Sequence, residues 1–531
     1  MERHLLDFLT KETAEKAGFI AADTDDNPLI TGLEYDSRNV KPGNLFFALP
    51  GLHTDGRLYI EDALTKGASA VVYESETDET PAKKNGAVFI RVKDSRFAMS
   101  PVSAAFYDFP SRRMQITGVT GTEGKSTTVY LIWQLLTLLG KKAGFFSTVQ
   151  QCFGDEVLWN SEHQTTPEAP VVQRLLWEMA NNGCEYAVVE ASSHGLSKKT
   201  NRLGDVGFSA AVMTNVTHEH LEFHGTWEQY RDDKANLFRA LNGYAPPDAS
   251  SGLESMLGPF GVVNADDRNS QYFAKATKYK TFRHSAAGRD ADLVLETIES
   301  SAWGNWYVVY LPALNERIQI RDRLPGAFNP GNVLAALLAV SGLSGLPVRK
   351  IAPYVKWLKP VRGRMTTIIK GQPFEVVIDY AHTPSSFEAV FPPLRERLDK
   401  TGGRIISLFG SAGERDTQKR PQQGKIAAEY SDIIVLADED PRGENPASIL
   451  EEIAAGVEGE TEYKQFVRGE DLFLIPSRSE AIRKALSLAR PKDIVLLLGK
   501  GHENSIIYAD YTMPYDEIAE TEKALYEINY R

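Results

Sequence analysis

A glycine-rich segment between two apolar runs contains the residues whose chemistry is clearest in this chain. Residues 120–127, here called the phosphate loop, read Thr-Gly-Thr-Glu-Gly-Lys-Ser-Thr. The apolar run 114–119 predicts a buried strand before the loop, and the run 129–136 predicts a helix after it. A turn of this kind directs backbone N–H groups and the positive end of a helix at an anion. Lys125 adds a charge for a terminal phosphate, and the Ser126 hydroxyl can bind Mg²⁺.

The spacing of the loop differs from the common phosphate-binding pattern. That pattern has a glycine five residues before Gly124, where this chain has Val119. A glycine-rich turn with an unrelated lysine is the structural alternative, but the strand before it and the helix after it favour a nucleotide site. The loop residues predicted to bind ATP are Gly121, Thr122, Gly124, Lys125, Ser126 and Thr127.

The composition bounds the class of protein. A chain of 531 residues is expected to form roughly three domains. Its net charge of −12 argues against nucleic acid or an anionic membrane surface as the main partner, so an anionic ligand needs a local positive site. The two cysteines provide neither a disulfide framework nor a metal cluster. No signal-peptide pattern and no run of about 20 apolar residues is seen, so we expect a cytoplasmic location.

The order of apolar runs predicts an α/β protein with three successive domains. Short strands and one short helix predict a small α/β domain over residues 1–112. Strands that end in polar residues alternate with helices over 113–358, as in a parallel sheet whose carboxyl edge holds a site. The same alternation returns over 359–531 and predicts a second open, mostly parallel sheet.

Several polar residues follow the predicted strands of the middle region. Glu190 ends the run 186–190, and an acid at a strand end near a phosphate loop commonly holds Mg²⁺. The segment 218–224 contains three histidines, but its spacing is not that of a zinc-protease helix, so one histidine ligand in a nucleotide–Mg²⁺ site fits better. Asp266 and Asp267 could face the nucleotide or cap a helix.

Taken together, these segments resemble the Mur ligases, the ATP-dependent amide-forming enzymes of peptidoglycan precursor synthesis. The resemblance covers nearly the whole chain, and each motif is weak alone whereas their joint order is specific. The segments that carry it are 36–38, 42–48, 120–126, 165–168, 190–194, 224–226, 363–365, 379–384, 413–416 and 499–503. Within the family, the similarity is to the branch that adds the third stem-peptide residue to UDP-N-acetylmuramoyl-L-alanyl-D-glutamate.

The resemblance implies a three-domain α/β architecture and a reaction through an acyl phosphate. A uridine-binding domain, a central ATPase-like domain with a parallel sheet and a Rossmann-like domain would follow each other along a monomer. Two Mg²⁺ ions are implied, with Ser126, Glu190, His220 and a carbamate on Lys234 as ligands. Catalysis would depend on Lys125, Glu190, His220 and Lys234. Further ATP-binding residues would be Asn329, Asn332, Arg364 and Asp379.

The resemblance also assigns the two other substrates. The UDP-muramoyl-dipeptide would contact Ser37, Arg38, His53, Gln164, Thr165, Thr166, Ser192, Lys198 and Arg202. The amino acid would contact Arg415, Glu439, Asp440, Arg442, Gly499 and Glu503. Glu123 departs from the family, which has asparagine there. Arg202 takes its role only if about two residues are inserted after His194.

The identity of the amino acid depends on the stretch 439–442, Glu-Asp-Pro-Arg. Family members that use meso-diaminopimelate have Asp-Asn-Pro-Arg, in which the arginine binds a carboxylate. A buried Asp440 in place of asparagine would disfavour a second carboxylate and favour a lone ammonium. We therefore expect lysine or ornithine, with meso-diaminopimelate next. The alternative is that Asp440 points to solvent and diaminopimelate binds as usual.

Three other functions share part of this pattern. A sister ligase that extends folate with glutamate would have no use for a uridine-binding domain. A non-catalytic nucleotide-binding regulator would not need Lys125, Glu190, His220, Lys234 and Asp379 together. A simple kinase would not need a third α/β domain with its own anion-binding arginines.

Overall fold

The structure is a computed structural model, and it divides into two compact units. It describes residues 1–22, 26–51, 55–75, 86–160, 164–217, 221–244, 258–301, 304–459 and 464–530, and only the backbone at 221 and 222. The first unit comprises Met1–Val294, Leu311–Glu316 and Gly331–Tyr354. The second comprises Leu295–Tyr310, Arg317–Pro330 and Val355–Arg531.

The first part of the chain forms a small sheet covered by helices on both faces. The sheet order is β2-β7-β6-β5-β4, parallel except at β2. Phe46 and Phe47 are both fully buried because neighbouring residues of a strand face opposite covered sides of the sheet. The elements are β1 (Arg3–His4), α1 (Leu5–Phe8), α2 (Lys11–Lys16), β2 (Phe19–Ala22), β3 (Leu29–Ile30), β4 (Gly32–Glu34), β5 (Asn44–Ala48), α3 (Ile60–Thr65), β6 (Ala70–Glu74), β7 (Val88–Val92) and α4 (Ser95–Phe106).

The middle part builds a larger sheet around the strand that precedes the phosphate loop. Its elements are β8 (Gln115–Thr120), α5 (Lys125–Leu138), β9 (Ala143–Phe146), β10 (Gln150–Cys152), β11 (Val157–Trp159), α6 (Ala169–Asn181), β12 (Tyr186–Glu190), α7 (Ser193–Leu196), β13 (Phe208–Met213), α8 (Leu221–His224), α9 (Trp227–Ala240), β14 (Phe260–Asn264), α10 (Ser270–Lys275), β15 (Thr281–Ser285), β16 (Leu293–Ser301), β17 (Gly304–Leu311), β18 (Glu316–Arg321), α11 (Asn329–Ser344) and α12 (Val348–Ile351).

Parallel pairing in this sheet brings the ends of three strands together. In the first unit the order is β11-β10-β9-β12-β8-β13-β14-β15, and β9, β12, β8, β13, β14 and β15 are parallel. The carboxyl ends of β12, β8 and β13 are therefore neighbours, because parallel strands end at the same edge. The buried side chains of β8, which include Ile116 and Val119, explain the continuous apolar run in the sequence.

The last part forms an open sheet of order β19-β20-β24-β21-β22-β23, antiparallel only at β19. Apolar residues are buried on both faces under helices. The elements are β19 (Thr366–Ile368), β20 (Glu375–Asp379), α13 (Pro384–Thr401), β21 (Ile405–Phe409), α14 (Lys419–Tyr430), β22 (Ile433–Leu436), α15 (Pro446–Val457), β23 (Leu472–Leu474), α16 (Arg478–Leu488), β24 (Ile494–Leu498), β25 (Ser505–Ile507), β26 (Thr512–Pro514) and α17 (Glu517–Glu527).

Among the residues described, no single helix combines the length and apolar character needed to cross a membrane. The helical segments Asn329–Ser344 and Val348–Trp357 reach that length and composition only together, across a bend of 107°.

Candidate active site

The phosphate loop connects β8 to α5 through two glycines that cannot be replaced without strain. Gly121 has a φ of +150°, and a Cβ on it would lie 1.9 Å from Thr214 Oγ1. Gly124, at the N-cap of α5, has a φ of +81°, and a Cβ there would lie 2.6 Å from Asn332 Oδ1. Both glycines combine a left-handed backbone with a close neighbour, so the loop shape depends on them.

Residues that follow β13 hold the loop in place. Asn215 accepts a hydrogen bond from Glu123 N at 2.9 Å and donates one to Glu123 O at 3.2 Å. Thr214 Oγ1 donates to the same carbonyl at 2.6 Å. The backbone of Glu123 is thus bound on both sides while its side chain is half-buried. A loop held in this way is preorganised for a ligand, because little of its shape has to change on binding.

Two lysines direct their ammonium groups at successive carbonyls of the loop. Lys125 Nζ donates to Thr122 O at 2.7 Å, and Lys234 Nζ donates to Gly121 O at 2.6 Å. Lys234 lies on α9, is 2% exposed and has its Nζ 4.4 Å from the centroid of the Tyr230 ring. The Lys125 ammonium provides local positive charge of the kind that a phosphate needs in a chain of net charge −12.

Glu190 lies beside the loop at the end of β12. It pairs with Val119 in the sheet, is 1% exposed, and its Oε2 accepts a hydrogen bond from Thr148 N at 2.8 Å. Its carbonyl oxygen accepts one from Thr166 Oγ1 at 2.8 Å, and that hydroxyl also accepts from Ser192 N at 3.0 Å. The predicted metal carboxylate and two predicted substrate residues therefore form one hydrogen-bonded group.

The oxygen donors near the loop fit Mg²⁺, which prefers hard ligands. Glu190 supplies a buried carboxylate and Ser126 a buried hydroxyl at the start of α5. His218 and His220 lie outside the described residues. Within the described ranges, no three His, Cys, Asp or Glu side chains form a group that could hold a metal by themselves.

Asp266 and Asp267 have structural partners instead of a free face toward the loop. Asp266 Oδ2 accepts from Ala286 N at 2.7 Å, and Asp267 Oδ2 accepts from Val216 N at 2.6 Å. These carboxylates hold the turns that follow the strands, and neither is the N-cap of α10, which is Asn269.

The residues predicted for the uridine end are less closely gathered. Ser37 is buried, whereas the Arg38 side chain is 85% exposed and forms a salt bridge with Asp36 at 2.6 Å. The hydrogen bond from Arg38 lowers the pKa of Asp36. His53 lies outside the described residues.

Arg202 is directed toward the segment that contains Thr166. Its Nη1 donates to Thr166 O at 2.8 Å, and its Nη2 donates to Glu168 Oε1 at 2.7 Å. Thr165 Oγ1 accepts from Thr148 Oγ1 at 3.0 Å. In contrast, Gln164 and Lys198 are exposed.

In the second unit, Asp379 is a buried carboxylate at the end of β20. It accepts hydrogen bonds from Met365 N at 2.7 Å and Ala381 N at 2.8 Å. Burial raises the pKa of Asp379, an effect that the nearby Arg364 partly offsets. The Arg364 guanidinium lies 4.6 Å from the centroid of the Tyr380 ring. Asn329, also in this unit, donates from Nδ2 to Pro325 O at 2.6 Å.

The stretch 439–442 and the segment after β24 form an acidic cluster around a buried lysine. Lys500 is fully buried, and its Nζ donates to Asp440 Oδ1 at 2.8 Å and to Glu503 Oε2 at 2.5 Å. Burial opposes the charge of Lys500, but the carboxylates of Glu503 and Asp440 outweigh it and raise the pKa of the ammonium. A Cβ on Gly499 would lie 3.1 Å from Glu439 Oε2, so Glu439 borders the same cluster.

Glu439 and Arg442 each have a buried polar atom whose hydrogen-bonding capacity the described residues leave unfilled. In the part of the chain that the structure describes, Glu439 Oε2 and Arg442 Nε are buried without a hydrogen-bond partner. Arg442 has a positive φ of 54° and is half-buried, whereas Arg415 is exposed. Burial also raises the pKa of the neighbouring Asp438 to about 6. Both atoms are therefore available to a hydrogen-bonding group that the described residues do not supply.

Comparisons with known proteins identify the family of the chain. Models of three Mur ligase domains match successive parts of the chain: the Mur ligase family catalytic domain at residues 29–107, the Mur ligase middle domain at 119–340, and the Mur ligase glutamate ligase domain at 363–501. A UDP-N-acetylmuramyl-tripeptide synthetase from Treponema denticola is 51% identical over 518 residues, which are 94% of each chain. The chain belongs to the Mur ligase family.

More distant relatives agree with this family assignment. A UDP-N-acetylmuramoyl-L-alanyl-D-glutamate--2,6-diaminopimelate ligase from Clostridium tetani is 33% identical over 92% of this chain and 93% of its own. A solved structure of a ligase with the same name has a TM-score of 0.61 at 26% identity, covering 94% of this chain and 96% of that one. The predictions of an α/β Mur ligase architecture and of an ATP-dependent ligase are therefore confirmed.

The geometry of this Mur ligase brings together some predicted site residues and not others. The phosphate loop, Glu190, Thr166, Ser192 and Lys234 meet at one sheet edge, and Asn332 joins them by accepting from Thr128 Oγ1 at 3.3 Å. Arg38, Gln164, Lys198 and Arg415 are exposed. Their roles remain predictions.

Two residues with evident roles in the site were missed from the sequence. Asn215 holds the phosphate loop from a position 92 residues away, and no local pattern marks it. Lys500 belongs to the motif 499–503, but the sequence assigns it no role of its own. Its charged neighbours within three residues and its place after an apolar strand were the available signals.

Replacement of Gly121 by alanine is expected to destabilise this Mur ligase by about 1–3 kcal/mol, because the new Cβ overlaps Thr214 Oγ1. Thermal unfolding measures the effect. The control is Gly243→Ala, since a Cβ on Gly243 meets nothing within 4 Å. Equal melting temperatures for the two variants would contradict the close packing at Gly121.

Proposed function

We propose that this Mur ligase joins a diamino acid to the D-glutamate of UDP-N-acetylmuramoyl-L-alanyl-D-glutamate, with lysine or ornithine preferred and meso-diaminopimelate next. The name of the Treponema denticola relative, at 51% identity over 94% of both chains, supports the tripeptide product. The observation that carries the choice of amino acid is the acidic cluster of Glu439, Asp440 and Glu503 around Lys500.

In the proposed reaction the substrate carboxylate attacks the γ-phosphate of ATP, and ADP leaves. The amine of the incoming amino acid then attacks the acyl carbon, loses a proton and displaces phosphate. A carboxylate is a poor acylating agent until one of its oxygens becomes a good leaving group. We assign the offset of charge on the phosphoryl group during transfer to Lys125 and the N–H groups of the phosphate loop, an assignment supported by the Lys125 ammonium lying 2.7 Å from Thr122 O of that loop.

The donor set beside the loop supports a Mg²⁺ role for Glu190 and Ser126, with His220 assigned by the family resemblance alone. When bound, Mg²⁺ supplies positive charge to the phosphate oxygens. We propose that Lys234 carries a carbamate, which converts a buried cation into an acid. Its Nζ already lies 2.6 Å from Gly121 O, so an acid on this residue would stand at the phosphate loop.

The muramoyl-dipeptide is proposed to bind beside Glu190. Thr166 and Ser192 share a hydrogen bond there, and Arg202 holds the Thr166 carbonyl. Ser37, Arg38, His53, Gln164, Thr165 and Lys198 are assigned to the same substrate by resemblance, as are Asn329, Asn332, Arg364 and Asp379 to ATP. We also propose domains at 1–112, 113–358 and 359–531, a monomer, and a cytoplasmic location.

The charge balance of the cluster supports a basic amino acid. Asp440 is buried, as expected, but its charge is met by Lys500, so Asp440 alone does not decide the specificity. Glu439 and Glu503 add two carboxylates to the one that Lys500 meets, and the Arg478 guanidinium also acts electrostatically on Glu439. The buried Glu439 Oε2, which no described residue contacts by a hydrogen bond, suits a substrate ammonium. A second substrate carboxylate would add like charge to this cluster.

We expect phosphate release to require ATP, Mg²⁺, the UDP-muramoyl-dipeptide and a diamino acid together. Lysine or ornithine should give a kcat/KM about tenfold or more above that of meso-diaminopimelate, because the second carboxylate of meso-diaminopimelate would face the carboxylates of the cluster, and a buried polar group without a partner costs about 1–3 kcal/mol. Glu439→Gln should reduce this preference, whereas the exposed Glu429→Gln should not.

The outcomes separate the parts of the proposal. A clear preference for meso-diaminopimelate would overturn the choice of amino acid while leaving the ligase intact. No release with any of the three amino acids would overturn the acceptor and favour a sister ligase or a nucleotide-binding regulator.

A further inference from the structure

A serine, a histidine and an aspartate form a buried hydrogen-bonded chain beside Lys234. His224 Nδ1 lies 2.8 Å from Asp233 Oδ2, and His224 Nε2 lies 3.1 Å from Ser193 Oγ. Because a carboxylate accepts, Nδ1 donates to Asp233 and Nε2 is left to accept the Ser193 hydroxyl. Gln229 Nε2 donates to the other Asp233 oxygen at 3.0 Å, which completes the chain.

This arrangement has the order of a nucleophile, a base and an orienting acid, but it is closed to substrates. Ser193, His224 and Asp233 are 2%, 4% and 2% exposed. A hydroxyl that no substrate can reach cannot act as a nucleophile, although its neighbours would suit that role. The three hydrogen-bonded residues must therefore have a structural role within the protein. Buried polar networks whose members are all satisfied rigidify the segments that they connect.

The chain connects two segments that carry different parts of the proposed site. Ser193 opens α7, directly after Ser192 and close behind Glu190 at the end of β12. Asp233 lies on α9, next to Lys234. A separate hydrogen bond joins the same two helices, because Asn236 Nδ2 on α9 donates to Leu196 O on α7 at 2.9 Å. Both contacts fix the distance between the Ser192 segment and the helix of Lys234.

We propose that Ser193, His224 and Asp233 are positioning residues, which hold Lys234 at a fixed distance from the Glu190–Ser192 segment. The inference rests on the proposed function for the catalytic role of Lys234, although the mechanical coupling of α7 and α9 stands without it. α7 has four residues and cannot hold its own place, because a single helical turn is unstable alone. Small misplacements of reacting groups cost large factors in rate.

Two variants break the chain at opposite ends. Ser193→Ala removes the hydroxyl on α7, and Asp233→Asn replaces the carboxylate on α9 with a group of similar size. The matched control is Thr226→Ala, which removes the N-cap of α9, where Thr226 Oγ1 accepts from Gln229 N at 3.1 Å, and leaves the chain intact.

Hydrogen exchange tests the coupling without any assumption about the substrate. We expect Ser193→Ala and Asp233→Asn each to speed amide exchange in both α7 and α9, whereas Thr226→Ala speeds it in α9 only. Faster exchange confined to the mutated helix in both chain variants would overturn the coupling. If Ser193→Ala does not fold, the similar-sized Asp233→Asn decides the question alone.

Steady-state kinetics test the consequence for the reaction. We expect kcat to fall by about 10- to 100-fold in both chain variants with the KM for ATP little changed, since partners of this kind position the catalytic group without binding the nucleotide. A kcat no lower than that of Thr226→Ala would overturn the positioning role. An inactive wild-type protein would instead refute the proposed function. Hydrogen exchange alone would then test the coupling of α7 and α9 through Ser193, His224 and Asp233.

Discussion

Replacement of Lys125 by methionine is expected to lower kcat by about 10²–10³-fold. Lys125 is the first residue of α5, and its ammonium lies 2.7 Å from Thr122 O within the phosphate loop. Charge that develops on a phosphoryl group during transfer is offset most by a fixed cation in a site with little water. Methionine keeps the length of the apolar stem and removes only that charge, so the fold should be preserved.

The loss should appear in kcat more than in the affinity for ATP. The backbone N–H groups of the loop still bind the phosphates of the ground state, whereas the lysine charge counts most when negative charge moves in the transition state. Phosphate release at saturating ATP measures the first effect, and equilibrium binding of a non-hydrolysable ATP analogue measures the second.

Lys141→Met is the matched control for this variant. Lys141 follows the other end of α5, after Gly140, so the same change of charge is made away from the loop. Wild-type turnover is expected there. If Lys125→Met kept more than a tenth of the wild-type kcat, the loop would bind a ligand without taking part in its chemistry.

The sequence predicted the elements around the loop because their signals are local. The apolar run before residue 120 is strand β8, and the periodic run after it lies within α5. Buried parallel strands are apolar on both sides, and a helix that follows a glycine turn needs only the next few residues. The nature of the loop and its place at the carboxyl edge of a sheet could therefore be derived from adjacent residues.

The interactions that complete the site could not be derived in the same way, because they join distant segments. Asn215 is 92 residues from Glu123, and Ser193 is 31 residues from His224. The histidine-rich segment 218–224 indicates metal binding by its residue types, and only the fold shows that His224 bonds to Ser193 and Asp233. A single sequence records side-chain types but not which of them meet across a sheet.

The interpretation of Asp440 shows what such a contact changes. A carboxylate in place of asparagine suggested added negative charge at the amino-acid site. In the structure Lys500, 60 residues away, donates to Asp440 at 2.8 Å and offsets that charge. The preference for a basic amino acid then depends on Glu439 and Glu503 as well. The sign of the local charge is a property of the cluster, and no single position determines it.

Replacement of Lys500 by methionine is expected to destabilise the second unit by about 3–5 kcal/mol. The ammonium is fully buried and donates to both Asp440 and Glu503, which would be left facing each other without a cation. Leaving a buried charge without its partner destabilises a protein by more than the intact ion pair stabilises it. Thermal or denaturant unfolding of the whole chain measures the change.

The double variant Lys500→Met/Asp440→Asn distinguishes loss of the ion pair from loss of packing. Asparagine can still accept from Ile507 N, as Asp440 Oδ1 does at 3.0 Å, but carries no charge. We expect it to recover part of the stability, because one unpaired buried carboxylate is removed. Lys523→Met, at an exposed position on α17, should leave stability unchanged. A double variant no more stable than Lys500→Met would show that the unpaired Asp440 carboxylate is not what destabilises the single variant.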